Sequence, residues 1–366
     1  MRRVLHVLPH RGGGGEAVVG LLAGLDEFEH RRCYLSNTRK PYLASPSLAL
    51  GLLRLRSEAR QADLLHVVGD TSALLCAPFF RPHPAVWGTH GLSLLRRVEG
   101  PLGPLLRGRA RTVVTRSERT ICSSRQELDE LAAIVGPALA PKLVEVPNGI
   151  PLPAVPTVGE RAAARRRLGL DGDTLVALYL GALETAKRPL DAAAAAAQAA
   201  GNGAPVVLLV AGDGPLAGEV AAQGGGAVRA LGFEPDPSHL LAAADVFVMP
   251  SEREGLALAL LEAMGHGLAI VASDGPGNPD AIGDAGLLCG VGDVDALAGA
   301  LVRLAGDPEE RRRLGAAARA RAEAKFSLDR FLADMRRVFD AAIAASRPRS
   351  NPSAFRRAAG NRQAGR

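Results

Sequence analysis

The chain contains no apolar stretch approaching the ~18 uncharged residues that a membrane-spanning helix needs. Its start, MRRVLHVLP, resembles the basic opening of a signal peptide. The apolar run is short, however, is interrupted by His6 and broken by Pro9, and no small-residue cleavage site follows. A cytoplasmic chain is expected. Cysteine is scarce: Cys33, Cys76, Cys122 and Cys289 lie far apart, and no C-x-x-C pair exists. That spacing argues against metal and disulfide roles and for buried free thiols. No G-K-[ST] occurs, which excludes a P-loop. Lysine is nearly absent, with Lys40, Lys142, Lys187 and Lys325 set against forty arginines.

Acids are missing from one segment only. Residues 347–366 carry six arginines and no Asp or Glu, which accounts for the whole net charge of +6. The rest of the chain is balanced, so the folded body is not a general nucleic-acid binder. The tail is rich in polar residues, Pro and Gly and reads as disordered, either simply solvated or touching anionic lipid or nucleic acid.

A chain of 366 residues with 47% hydrophobic content predicts about two domains. Short apolar runs alternate with helical patterns. Strands are expected at residues 4–8, 33–35, 64–68, 85–88, 120–123 and 143–146, with helices such as 17–25 and 126–134 between them. The stretch PNGIPLPAVPTVGE, residues 147–160, has four prolines and an Asn-Gly turn and reads as a linker. The alternation then restarts, with strands at 175–180, 206–210, 228–231, 246–249, 268–272 and 287–289. Helices are expected at 189–200, 238–243, 256–264, 295–304 and 308–325. Strand–helix alternation means parallel sheets covered on both faces, so the expectation is two doubly wound α/β domains, residues 1–150 and 151–327. A last amphipathic helix, 328–345, is expected to cross back to the first domain, ahead of a basic tail at 346–366.

The glycines of LPHRGGGGEA match the dinucleotide pattern G-x-G-x-x-A. That site also needs an Asp or Glu at the end of the second strand, and the sequence there is Ser36, Asn37 and Thr38. Arg39 keeps a 2′-phosphate reading open, but NAD loses its main support. A helix starting near Glu16 offers free amides to a phosphate or a sugar; a plain strand-to-helix turn is the alternative.

The richest stretch is PSEREGLALALLEAMGHGLAIVASD, residues 250–274. Glu254 precedes an apolar helix and Glu262 lies inside it. Eight helical residues at ~1.5 Å rise separate the carboxylates by about 12 Å, too far for an acid–base pair and suited to two contacts on a long ligand. The helix N-terminus between them favours an anion. An anion flanked by hydroxyl-rich ends describes a nucleotide diphosphate sugar, with Glu254 at the sugar and Glu262 at the ribose.

This stretch resembles the E-x7-E signature of the family 4 retaining glycosyltransferases, which have the GT-B fold. Other motifs agree in order from residue 1 to about 345: Gly13, Gly14 and Glu16 resemble the family's G-G-x-E. Asp63 and His66 resemble D-x-x-H, and His90-Gly91 a strand-end His-Gly. VPNGIP resembles the hinge, and Gly181 and Lys187 the G-R-L…K element. VAGDGP and LAAADVFVMPSEREG also match. The resemblance implies that Lys187 meets the leaving diphosphate. Glu254 would hold the sugar, together with the amides of Gly255, Leu256, Ala257 and Leu258, and Glu262 would hold the ribose. The backbone near Phe233 would face the base, His90 would sit near the reacting carbon, and Gly14 and Gly15 would approach the diphosphate. Ala182 stands where the family has an arginine, and Arg188 or an arginine of the first domain is expected to compensate.

The implied activity is transfer of a sugar from a nucleotide sugar, UDP ahead of GDP, to a hydroxyl acceptor. No cofactor and no obligate metal are expected. The acceptor is lipid-linked or a cell-envelope glycan precursor in the favoured version. Residues 91–114 mix leucines with Arg96, Arg97, Arg107, Arg109 and Arg111, a surface suited to an anionic lipid or the inner membrane face; an ordinary solvated helix is the alternative. Asp171-x-Asp173 and Asp293-x-Asp295 look like D-x-D metal motifs but read as a turn and a helix cap. Competing functions are a sugar-nucleotide epimerase, a NAD(P)-dependent oxidoreductase, and a non-catalytic binder working through the arginine tail.

Overall fold

The computed structural model describes residues 1–37, 47–92, 94–97, 100, 102–170, 172–223 and 225–346. Thr38, Arg39, Asp171 and the arginine tail, 347–366, lie outside the described residues. In the first half, β1 (Arg2–Leu8) leads to α1 (Gly14–Leu21), β2 (Phe28–Tyr34), α2 (Ser47–Ala59), β3 (Leu64–Val68) and α3 (Asp70–Cys76). It continues with β4 (Ala85–Gly88), α4 (Gly103–Arg116), β5 (Arg119–Cys122), α5 (Arg125–Val135) and β6 (Leu143–Glu145). The strands form one parallel sheet in the order β2-β1-β3-β4-β5-β6. The second half runs α6 (Val158–Arg167), β7 (Leu175–Leu180), α7 (Pro189–Gly201), β8 (Val206–Ala211), α8 (Ala217–Ala222), β9 (Val228–Gly232) and α9 (Ser238–Ala243). It goes on through β10 (Val246–Met249), α10 (Leu258–Gly265), β11 (Ala269–Ser273), α11 (Asn278–Ile282), β12 (Leu287–Cys289), α12 (Val294–Gly306) and α13 (Pro308–Lys325). Its parallel sheet has the order β12-β11-β10-β7-β8-β9.

The α/β reading therefore holds, with two doubly wound sheets. Strand interiors such as β3 and β8 are buried along their whole length, because helices cover both faces. β2 begins five residues before the expected Cys33. Its edge position leaves Arg31 and Arg32 exposed and hides the apolar signal. The four cysteines are buried free thiols. No helix among the described residues is long and apolar enough to cross a membrane.

The two sheets differ in their order. The second, read from β9, is 3-2-1-4-5-6, the dinucleotide-type arrangement. The first places β2 at the edge and reverses between β1 and β3. In either, ligands bind beyond the carboxyl ends of the strands where the order reverses. Those points are the β1 and β3 ends in one domain and the β7 and β10 ends in the other.

Two crossings join the domains. Residue Ile150 pairs with Ser327; Ile150 N–H donates to Phe326 O and Leu328 N–H to Ile150 O, each at 2.9 Å. Gly149 is needed here, because a Cβ would lie 2.5 Å from Phe331 Cβ and 2.7 Å from Ser327 O. α14 (Leu328–Ser346) then lies on the first sheet. Its Phe331, Met335, Phe339 and Ile343 share a core with Val4, Leu64 and Val86. The amphipathic stripe thus finds its partner in the domain the chain had left.

Candidate functional site

The carboxyl ends of the two sheets face each other across a cleft of about 510 Å³. On the first-domain side, Gly13 takes φ 85° and the helix begins at Gly14, two residues before Glu16. Only glycine adopts that backbone without strain. Glu16 does not open the helix; it braces the loop. Its carboxylate accepts from Gly12 N–H and Tyr34 Oη, with Arg32 at 3.8 Å. Burial alone would raise this carboxyl, but the bonds from Tyr34 and Gly12 and the nearby Arg32 and Arg11 bring it below its ordinary range. No side chain caps α1, so the first free amides belong to Gly14 and Gly15, and both residues line the cleft.

On the second-domain side, Glu254 sits in the loop after β10, four residues before α10 starts, and is 7% exposed. The expected helix at Leu256 begins instead at Leu258, so the two glutamates are not joined by continuous helix. Lys187, from a short turn after β7, places Nζ 2.7 and 2.6 Å from the two Glu254 oxygens. This pair satisfies a nearly buried carboxylate. α10 has no side-chain cap, and Leu256, Ala257, Leu258 and Ala259 line the cleft with its open N-terminus. Two uncapped helix starts, α1 and α10, therefore bound one cavity. Glu262, half-buried on α10, has no hydrogen bond or ion pair to its carboxylate among the described residues, and burial pushes it up to about 7.

His90 stands at the rim between the domains with φ 47°, an uncommon conformation for a residue with a side chain. Burial pushes its imidazole down to about 4. Its loop is anchored by Glu127, wholly buried, which accepts from Gly91 N–H and Ser123 N–H at 2.6 Å and from Ser123 Oγ at 2.8 Å. Asp70, also buried, accepts from Leu94 N–H at 2.5 Å and Leu95 N–H at 3.1 Å.

The structure brings Gly14, Gly15, His90, Gly181, Lys187, Phe233, Glu254, Gly255, Leu256, Ala257, Leu258 and Glu262 to this cleft. Arg188 is not among its lining residues. It has φ 50°, and its guanidinium binds Asp191 at 2.5 Å. Of the first-domain arginines, Arg96 is no surface residue. It pairs with Glu130 at 2.8 Å and reaches Glu254 O at 3.4 Å across the cleft. The segment around it reads as a lipid-facing surface or an ordinary solvated helix, and neither reading includes the contact of Arg96 with the second domain. Asn148 had read as half of a turn. It is buried, lines the cleft and donates from Nδ2 to Leu256 O at 2.8 Å. Gly212 and Asp213 of VAGDGP also line the cavity. Asp293 caps α12 by accepting from Ala296 N–H at 2.9 Å. His266 ends α10 and bonds Glu262 O at 2.8 Å.

The chain is similar to known proteins. Residues 7–152 match the family described as Glycosyltransferase Family 4, and residues 160–321 match Glycosyl transferases group 1. A D-inositol 3-phosphate glycosyltransferase of Stackebrandtia nassauensis is 33% identical over 67% of this chain and 59% of its own length. A UDP-Gal:alpha-D-GlcNAc-diphosphoundecaprenol alpha-1,3-galactosyltransferase of Escherichia coli is 32% identical over 45% of this chain and 46% of its own. The chain thus spans less than two thirds of the length of these curated relatives. Anabaena HepE, solved in complex with UDP-glucose, superposes with a TM-score of 0.76 over 93% of this chain and 100% of its own. At 19% identity that likeness shows the fold alone.

Proposed function

We propose, from the premise that the chain belongs to the GT-B glycosyltransferases, that it moves a sugar from a nucleotide diphosphate sugar to a hydroxyl acceptor with retention of anomeric configuration. The observation that carries this reading is the set of groups around one cleft. Two carboxylates, Glu254 and Glu262, bracket Lys187 and the open start of α10, and the glycine-rich start of α1 faces them. Hydroxyl-binding groups thus flank an anion-binding centre.

In this reading Glu262 accepts from the ribose hydroxyls, the backbone at Phe233 faces the base, and Glu254 takes the sugar's hydroxyls. The bond between the anomeric carbon and the diphosphate oxygen breaks, and negative charge grows on the departing diphosphate. In this reading Lys187 and the amides of α10, Gly14 and Gly15 stabilise it. The acceptor oxygen bonds the anomeric carbon from the face the diphosphate leaves, and its proton passes to the departing phosphate oxygen. His90 lies on the acceptor side. This charge arrangement needs no cofactor and no obligate metal.

Uridine is the favoured base, ahead of guanosine. The E. coli relative is named for a UDP-Gal donor. That relative's acceptor is a diphosphoundecaprenol-linked sugar, which supports a lipid-linked or cell-envelope acceptor here. The first domain exposes Leu50 and Leu53 on α2 and Leu102 and Leu105 at the start of α4, beside exposed Arg107, Arg109 and Arg111. These residues suit peripheral contact with an anionic membrane from the cytoplasmic side.

The test is nucleotide release from a panel of UDP-, GDP- and dTDP-sugars, with and without a membrane extract, and the anomeric configuration of the product read by NMR. UDP release stimulated by the extract is expected. Failure of every donor to release nucleotide overturns the reading. Donor interconversion without an acceptor favours an epimerase instead.

A further inference from the structure

Behind His90 the first domain buries a line of histidines that the chemistry above does not use. His66 Nδ1 lies 2.9 Å from His6 Nδ1, His6 Nε2 lies 2.8 Å from His30 Nδ1, and His30 Nε2 lies 3.0 Å from Leu25 O. β3, β1 and β2 carry these three rings side by side, because parallel pairing sets His6 opposite His66. At the inner end is a cavity of about 10 Å³, bounded by His66, His90, Ser123 and Asn148 with apolar walls from α1 and α14. Three of those residues each hold a buried polar atom with no partner among the described residues: His66 Nε2, His90 Nδ1 and Asn148 Oδ1. One water needs roughly 10–15 Å³ and two to four polar partners, and buried polar atoms are rarely left unpaired.

We propose that one buried water joins His66 Nε2, His90 Nδ1 and Asn148 Oδ1, and that the histidine line behind it holds His90 in its Nδ1–H form. The direction follows from one carbonyl. Leu25 O only accepts, so His30 carries its proton on Nε2 and its Nδ1 accepts from His6 Nε2–H. His6 Nδ1 then accepts from His66 Nδ1–H, which leaves the lone pair of His66 on Nε2. Asn148 spends Nδ2 on Leu256 O, so its Oδ1 also accepts. The water donates to these two acceptors and accepts from His90 Nδ1–H. His90 Nε2 is left with a lone pair, on a ring that lines both the small cavity and the donor cleft. His6, His30 and His66 are positioning residues. Resting on the glycosyltransferase reading, the task of the fixed tautomer is to hold the His90 ring neutral and in one orientation at the edge of that cleft.

The test is a two-bond proton–nitrogen correlation spectrum of the full chain labelled with ¹⁵N-histidine. It is run without ligand at pH 8, above the ordinary imidazole range near 6.5, and signals are assigned by single His→Gln variants. His66 and His90 are expected as the less common Nδ1–H tautomer, and His6 and His30 as Nε2–H. Finding His66 or His90 as Nε2–H overturns the proposal whatever the activity. With UDP-glucose as donor, His66→Leu is expected to lower kcat at least ~10-fold with donor KM little changed, and His66→Gln, which keeps a donor and an acceptor, to lose less. Wild-type turnover in His66→Leu overturns the catalytic consequence. The expected tautomers in a protein that turns over no nucleotide sugar leave the relay standing and refute the glycosyltransferase reading alone.

Discussion

Replacing Glu262 by Gln separates the cost of this carboxylate from its use. Burial on α10, with no donor to its carboxylate among the described residues, raises its carboxyl from 4.5 to about 7. Between those values the folded chain binds a proton that the unfolded chain has lost, so stability falls as pH rises through this window and stays low above it. At ~1.4 kcal/mol per unit, the penalty at pH 8 is about 3 kcal/mol as an upper bound, reduced by the solvent that still reaches the carboxylate. Glu262→Gln removes the charge. Urea unfolding is expected to show a gain of about 1–3 kcal/mol at pH 8 and little difference near pH 4.5. Binding should move the opposite way. Ribose hydroxyls donate to a carboxylate better than to its acid, so the donor selects the ionised form. That form rises from about a tenth at pH 6 to about nine tenths at pH 8 for a group titrating near 7. Calorimetric titration with UDP-glucose, whose diphosphate does not titrate in this range, is expected to show affinity for the native chain rising nearly tenfold between those pH values, with proton release. The Gln variant should bind at least ~10-fold more weakly at pH 8, with a flat pH profile. A flat profile in the native chain, or a Gln variant no more stable at pH 8, refutes the reasoning.

Lys187→Ala strips a nearly buried carboxylate of its cation and should cost about 1–3 kcal/mol by urea unfolding, less than a fully buried pair because the lysine side chain is 35% exposed. Adding Glu254→Gln should recover much of that stability without restoring turnover, which Lys187→Ala alone should reduce at least ~10-fold. Gly255→Ala places a methyl 2.9 Å from Gly91 N and 3.0 Å from Ser123 Oγ across the domain contact. It should widen the cleft, lowering turnover at least ~10-fold while far-UV circular dichroism stays native; unchanged turnover counts against closure at this point. Nucleotide release should persist in excess EDTA, and its loss with recovery on adding Mg²⁺ or Mn²⁺ would show a metal requirement.

Strand periodicity was legible wherever both faces of a sheet are covered. β3, β4, β7 and β10 begin and end where their apolar runs do. It failed at β2, where an edge strand carries exposed arginines. The donor-side motif was also legible, because Glu254, Gly255 and Glu262 fall within nine residues of one strand–loop–helix unit. Residues whose role is to touch the other domain were not. Arg96 looked like one of several surface arginines, Asn148 like a turn residue, and Arg188 like a diphosphate ligand beside Lys187. Nothing in local spacing tells which way a long side chain points. Glu127 and Asp70, buried acids that hold the His90 loop, also accept backbone amides 24 to 36 residues away, which local spacing does not mark.

By itself, then, the sequence determined two parallel α/β units, a proline-rich crossing between them and the acid-bearing loop and helix of the second. Each of these depends on hydrophobic period, turn residues or contacts within a few positions. Tertiary structure alone decided which first-sheet residues α14 packs on and that two uncapped helix starts share one cleft. It also decided that Lys187 meets Glu254 and that His6, His30, His66 and His90 form a line toward that cleft. Those facts belong to strands and loops far apart in the chain, and the stacking of sheets, not local preference, sets which of their groups come within hydrogen-bond reach.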